Sequence, residues 1–223
     1  MIIFQNVHKR YPIKAGEKKI ILRDASFALP RGRSYAVLGV NGAGKSTLIR
    51  MIAGVESPTS GRILRDGMRI SWPLGFASSF HGSLSGRENC RFVARIYGCP
   101  TESVIAFVEE FAELGRYFDV PVRTYSSGMR ARLAFGLSMA IDFDVYLVDE
   151  ITAVGDARFQ ERCATVFEER RKSADVIMVS HSPDTVKRYC DTAMVLHRGE
   201  ITLYDTMEEA TAHYGRILSR LDG

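Results

Sequence analysis

The stretch Gly39-Val40-Asn41-Gly42-Ala43-Gly44-Lys45-Ser46-Thr47 limits what this chain can fold into more than any other. Its spacing fits the G-x-x-x-x-G-K-[ST] phosphate-binding loop without a mismatch. Side-chain-poor positions let backbone N–H groups turn inward on anionic oxygens, with a helix N-terminus behind them. Lys45 can then reach β- and γ-phosphates, and the Ser46 hydroxyl can ligate Mg²⁺. Such a loop needs a strand before it and a helix after it. Ser34-Tyr-Ala-Val-Leu-Gly39 reads as a short buried strand and Thr47-Leu-Ile-Arg-Met-Ile-Ala53 as a helix, so a chance glycine-rich turn is the weaker reading.

The chain's 223 residues allow one large domain, or one domain carrying a subdomain. With 46% hydrophobic and 25% charged residues and no low-complexity tract, it reads as soluble and globular. No apolar run reaches the roughly eighteen residues that a membrane-spanning helix needs. The start, Met1-Ile-Ile-Phe-Gln-Asn, lacks the basic and apolar regions of a signal peptide, so a cytoplasmic location is expected. Cys90, Cys99, Cys163 and Cys190 form no C-x-x-C pair and no metal-like spacing with histidine, which reads as scattered reduced thiols. A net charge of +4 permits anionic lipid or acidic partners, but without a basic patch interleaved with aromatics it does not point to nucleic acid.

Taken in order, two alternating runs (Ile2 to Val7 and Ile20 to Leu29) joined by a polar turn predict an antiparallel segment beside the main sheet. Tyr11 follows the first run. Its flat amphipathic face could stack on an adenine ring, or it could be an ordinary half-buried tyrosine at a strand end. Arg62 to Gly67 reads as a strand and turn, and Trp72 to Gly82 as a strand leading into a loop. From Ser85 to about Ala140 the pattern turns helical. Ser85-Gly-Arg-Glu88 is a capping box, followed by Phe92, Val93, Ile96 and Tyr97 at helical spacing. Val104 to Phe111 and Met129 to Ala140 are two more helical stretches. Arg87, Arg91 and Arg95 make a basic stripe, either a solvated face or a contact for a membrane partner or lipid head groups. Val145 to Val148 leads to Asp149 and Glu150, and Val176 to Ser180 leads to His181. Thr192 to Tyr204 looks like a closing hairpin and Met207 to Leu221 like a final amphipathic helix. Strands alternating with helices imply an α/β domain with a largely parallel sheet.

A phosphate loop alone does not separate kinases, GTPases and ATPases. Phosphoryl transfer also needs a metal, charge neutralisation and an oriented nucleophile. Asp149 closes a hydrophobic strand and can stand beside Ser46 at the metal. Glu150 can polarise the attacking water as general base; the plainer reading of the acid pair is a helix cap and a surface charge. His181 also ends a strand, where ligands of such sheets sit, and could donate to a γ-phosphate or be structural.

Tyr125-Ser126-Ser127-Gly128-Met129 resembles the signature motif of ATP-binding cassette (ABC) ATPases. The whole series stands in order: Tyr11, the phosphate loop, the signature, Asp149-Glu150, a D-loop-like Ala153-Val-Gly-Asp156, and His181. The resemblance covers nearly the entire chain. It implies a P-loop NTPase core with an antiparallel β-subdomain and an inserted helical subdomain at about 83–140, within a single nucleotide-binding domain spanning 1–223. It implies ATP and Mg²⁺ as cofactors, with Tyr11, Gly39, Asn41, Gly42, Ala43, Gly44, Lys45, Ser46 and Thr47 around the nucleotide. Glu150, His181 and Lys45 would act in catalysis, and Ser46 and Asp149 would hold the metal. Two such cassettes dock head to tail, so Ser126, Ser127 and Gly128 of one copy would meet the γ-phosphate held by the other.

Two departures stand out. The common signature is Leu-Ser-Gly-Gly-Gln, so Tyr125, Ser127 and Met129 differ. The glutamine of the Q-loop has no obvious counterpart, and His81 occupies its place, where a histidine can still reach water or metal. Trp72-Pro-Leu-Gly, Gly82 to Asn89, Arg91 to Gly98 and Tyr125 to Met129 together resemble the ATP-binding subunits of capsular polysaccharide exporters. Exporters of O-antigen and teichoic acid share several of these features, but the chain ends at Gly223, just past the cassette, which fits the capsule type better. The implied role is a peripheral ATPase on the cytoplasmic face of the inner membrane, driving separate integral-membrane permease subunits that contact the glycan. The alternatives are export of another glycan, or a soluble ABC ATPase outside transport.

Overall fold

The computed structural model describes residues 1–13, 16–74, 80–149, 156–180 and 182–220. These fall into two compact units, one of residues 1–73, 144–149 and 174–220, the other of 74–143 and 156–173.

The first unit holds two sheets. β1 (Ile2–Pro12) pairs antiparallel with β2 (Lys18–Leu29), as the alternating runs predict. Its register shifts between Phe4 and Val7, where Asn6 takes φ 47°. Beyond the shift Val7 and Lys9 are buried and Tyr11 half-buried, with His8 and Arg10 exposed between them. Strand β3 (Tyr35–Leu38) leads into the phosphate loop, and α1 (Lys45–Ala53) leaves it. Helix α1 buries Leu48, Ile49, Met51 and Ile52, and stops at Gly54, whose φ of 79° turns the chain out. β4 (Ser60–Leu64) then joins the other edge of β1, so the small sheet runs β2-β1-β4.

The larger sheet takes β5 (Ile70–Pro73), and the second unit follows with α2 (Gly86–Ile96), α3 (Thr101–Ala112) and α4 (Ser127–Met139). After β6 (Val145–Asp149) comes α5 (Ala157–Arg170), then β7 (Asp175–Val179), α6 (Pro183–Tyr189), β8 (Thr192–His197), β9 (Glu200–Leu203) and α7 (Met207–Ser219). The strand order is β5-β6-β7-β3-β8-β9, parallel except for the β8–β9 hairpin. Tyr35-Ala-Val-Leu, Val145-Tyr-Leu-Val and Val176-Ile-Met-Val are unbroken apolar runs because helices cover a parallel sheet on both faces.

In the second unit, α2 begins with the capping box as read: Ser85 Oγ accepts from the Glu88 N–H at 3.1 Å, and Glu88 takes the Ser85 N–H at 2.8 Å. Its buried face is Gly86, Asn89, Cys90 and Ala94. Phe92 and Ile96, apolar and at helical spacing, are instead 55% and 61% exposed. The arginine stripe is not uniform either. Arg87 bridges Glu109 and Asp119, each at 2.7 Å, with its guanidinium over the Phe118 ring, while Arg95 is exposed. Phe111 centres the packing, 5.8 Å from the Phe135 ring and 5.3 Å from Phe159 of α5. That contact brings α5, far beyond residue 140, into the same unit.

Candidate functional site

β3 lies between β7 and β8 in a parallel sheet, so its carboxyl end opens at the same edge as those of β6 and β7. Ligands of such sheets bind at that edge. A cavity of about 330 Å³ is found there, within the range of small-molecule sites. Asn41, Gly42, Gly44, Lys45, Ser46 and Thr47 line it from the loop, Asp149 and Val179 from the ends of β6 and β7, and Tyr11, Lys19 and Ile21 from the small sheet.

The loop's glycines are demanded locally. Gly44 has φ 110°, and a Cβ on it would lie 2.4 Å from Ile21 Cγ2. At Gly39 a Cβ would lie 2.6 Å from the Leu196 carbonyl oxygen. With Gly44 as the cap residue, α1 has no side chain bonding its first amides. Helix α3, behind Pro100, also lacks a side-chain cap, whereas α2, α4, α5, α6 and α7 are capped by Ser85, Ser126, Asp156, Ser182 and Thr206. The open N-terminus keeps N–H donors and the positive end of the helix dipole for an anion. Lys45 Nζ donates to the Gly39 carbonyl at 2.7 Å and the Val40 carbonyl at 3.3 Å, which holds its positive charge at the mouth of the loop.

The structure therefore gathers Tyr11, Asn41, Gly42, Gly44, Lys45, Ser46, Thr47 and Asp149 around one cavity. Gly39 and Ala43 are not among its lining residues; the Ala43 N–H is spent on the Val40 carbonyl at 3.1 Å. Ser46 and Asp149 offer a hydroxyl and a carboxylate, the oxygen donors that suit Mg²⁺. Glu150 and His181 lie outside the described residues.

In the second unit, Ser126 caps α4 by accepting from the Met129 N–H at 3.2 Å. Ser126 and Ser127 are exposed and Gly128 half-buried. Tyr125, where the common signature has leucine, is buried, and its hydroxyl donates to the Tyr117 carbonyl at 2.6 Å. His81 is exposed on the turn before α2, with its backbone clamped at both N–H and C=O by Asn89, at 2.9 and 3.3 Å.

Sequence reasoning missed a cluster at the rim of the cavity. Glu56 Oε1 takes Lys9 Nζ at 2.7 Å and the Tyr11 hydroxyl, and its Oε2 takes Arg50 Nε at 2.9 Å. The Tyr11 hydroxyl also lies 3.3 Å from Thr47 Oγ1, which accepts from Arg50 Nη2 at 3.2 Å. Burial alone would raise the Glu56 pKa, but hydrogen bonds from Lys9, Tyr11 and Arg50 pull it down to about 2. The available signal was a lysine on the inward side of a strand, two residues before the tyrosine.

Comparison with known proteins fits this geometry. The profile of the ABC transporter family matches residues 22–153. The capsule polysaccharide export ATP-binding protein CtrD of Neisseria meningitidis serogroup B is 50% identical over 97% of this chain and 100% of its own length. The chain belongs to the ABC transporter family. Within that family, the polysialic acid transport ATP-binding protein KpsT of Escherichia coli is 53% identical over 92% of this chain and 91% of its own. The fold is also that of the ATP-binding cassette MJ0796, solved as a dimer in a post-hydrolysis state bound to ADP and Pi. That structure has a TM-score of 0.74 and covers 93% of this chain and 99% of its own, at 20% identity. Among the described residues of this ABC chain, no helix is long and apolar enough to cross a membrane.

Proposed function

We propose that this chain is the ATP-hydrolysing subunit of a transporter that exports capsular polysaccharide across the inner membrane. It works as a head-to-tail dimer on the cytoplasmic face, bound to separate permease subunits that contact the glycan, and binds no nucleic acid. The observation that carries this reading is that relatives named for capsule and polysialic acid export match the chain almost end to end at about half identity. The cavity supports the ATP site.

In this reading the triphosphate lies against the uncapped amides of α1, and Lys45 exchanges its two loop carbonyls for phosphate oxygens. Ser46 and Asp149 hold Mg²⁺, which when bound neutralises phosphate charge. Tyr11 receives the adenine on its ring. Glu150 orients and deprotonates the attacking water, and His181 donates to the γ-phosphate. His81 takes the place of the Q-loop glutamine. Ser126, Ser127 and Gly128 close over the nucleotide of the partner copy. A Cβ on Gly128 would meet nothing nearer than Ser126 Oγ at 3.9 Å, so among the described residues no neighbour calls for a glycine there. The whole chain acts as one nucleotide-binding domain with a helical segment inserted at about 83–140, and the turn from His81 to Ser85 with the helices after it contacts the permease.

The test is a strain lacking this gene, complemented with the wild type or with Lys45→Ala, in which surface and internal polysaccharide are measured separately. Surface loss with internal accumulation, rescued only by the wild type, is the expected result. Unchanged surface polysaccharide in the deletion strain would remove the export assignment.

A further inference from the structure

Glu56 stands in the turn after α1 with its side chain 18% exposed, and no part of the cavity lining assigns it a role. Its carboxylate nevertheless joins four residues of two elements of the first unit. Lys9 and Tyr11 come from β1, Arg50 from α1, and through Tyr11 and Arg50 the carboxylate reaches Thr47, in the first turn of the phosphate-loop helix. Lys9 is fixed in turn by the Ser57 carbonyl at 2.8 Å, and its ammonium stands 4.9 Å from the centre of the Tyr11 ring.

A tyrosine near the end of a strand has two side-chain torsions to settle, and a ring that stacks on a base must hold both. Here the hydroxyl end is tied to Glu56 and the ring carries the Lys9 cation. Without the carboxylate, Lys9 and Arg50 would be two like charges with no common counter-ion, held only by the neutral Ser57 carbonyl and Thr47 hydroxyl. The same anion thus orders the base platform against the first turn of α1.

We propose that Glu56 is a positioning residue, whose carboxylate sets the tilt of the Tyr11 ring relative to the first turn of α1 so that base and phosphates are received together. The inference rests on the ATP-binding reading above. It concerns affinity for the base-bearing nucleotide, as distinct from affinity for phosphate alone.

The experiment measures the equilibrium binding of ATP and of inorganic tripolyphosphate to the full chain. The proteins are the wild type, Glu56→Gln, Tyr11→Phe, the Glu56→Gln/Tyr11→Phe double variant and Tyr11→Ala, with the thermal midpoint of each recorded. Tyr11→Phe keeps the ring and removes the hydroxyl, with its bonds to the carboxylate and to Thr47 Oγ1. Glu56→Gln and Tyr11→Phe are each expected to weaken ATP binding by roughly fivefold to tenfold, the worth of one ordinary hydrogen bond. The double variant should be no worse than the weaker of the two, because both remove one interaction. Tripolyphosphate affinity should stay within about twofold of the wild type, as no phosphate donor is altered. Parallel loss of tripolyphosphate binding, multiplying effects in the double variant, or unchanged ATP binding in both single variants would overturn the positioning role. Tyr11→Ala separates the levels. If it weakens ATP alone while Glu56→Gln and Tyr11→Phe do not, only the role of Glu56 falls; if it leaves ATP binding intact, the base platform falls with it.

Discussion

The starts of α1 and α4 use similar ingredients, small residues ahead of a helix N-terminus, and are finished in opposite ways. At α1 the chain itself dictates the glycine: Gly44 has φ 110° and no room for a Cβ beside Ile21, and the first amides have no side-chain cap. At α4 Ser126 caps the helix, while Gly128 has open space where a Cβ would be. One helix start is shaped from within and left open to an anion. The other is satisfied from within, and among the described residues nothing stands nearer than 3.9 Å to where a Cβ on Gly128 would be. Gly128, unlike Ser126, thus has no internal duty among the described residues, and a position kept small for a second copy would have none either.

The contrast can be broken by substitution. Lys45→Ala should lower ATP turnover by about a thousandfold, measured as phosphate release, because it removes the charge aimed at the phosphates. Gly44→Ala should destabilise the fold by about 3 kcal/mol, combining strain at positive φ with the clash on Ile21, read from denaturant unfolding. Acid sharpens the same end of the comparison. The Glu56 pKa is held near 2 against an ordinary 4.5, so its contribution is complete above about pH 4.5 and fades as pH falls towards 2. That contribution is on the order of 3 kcal/mol, and Glu56→Gln should flatten this part of the stability-versus-pH curve. Gly128→Val should leave the thermal midpoint and single-chain ATP affinity near wild type, yet cut turnover by roughly thirtyfold, about 2 kcal/mol, by obstructing the partner's approach. Equal loss of stability at 44 and 128 would dissolve the comparison. The smallest effect is Ser85→Ala, about 1 kcal/mol from a lost helix cap, seen as a drop of a few degrees in the midpoint.

What could be read from the sequence was local. The loop from Gly39 to Thr47 and the box from Ser85 to Glu88 are short patterns whose geometry follows from a few adjacent residues, and both stand where they were expected. The hairpin of β8 and β9 announced itself by its turn at Arg198-Gly199. Distance in sequence hid the rest. The joining of β4 to β1 and the meeting of Tyr11 with Glu56 depend on loop closure, for which no spacing rule exists. Phe92 and Ile96 misled in another way, because periodicity marks an apolar face without saying what covers it. Glu150 and His181 were named by position and family pattern alone, outside the described residues.

The fit between α2 and the signature has a consequence for inheritance. Gly86 faces Tyr125 so closely that a Cβ would stand 2.7 Å from the phenol oxygen and 2.9 Å from Phe118 Cδ2. The tyrosine and the glycine therefore form one unit of variation. A lineage that enlarges position 86 must give up the tyrosine and also shift Phe118, whose carbonyl oxygen would stand 3.1 Å from that Cβ. Anyone grafting the commoner leucine-led signature into this chain would leave a hole where the phenol stood, and a larger residue 86 could fill it only if Phe118 moved as well.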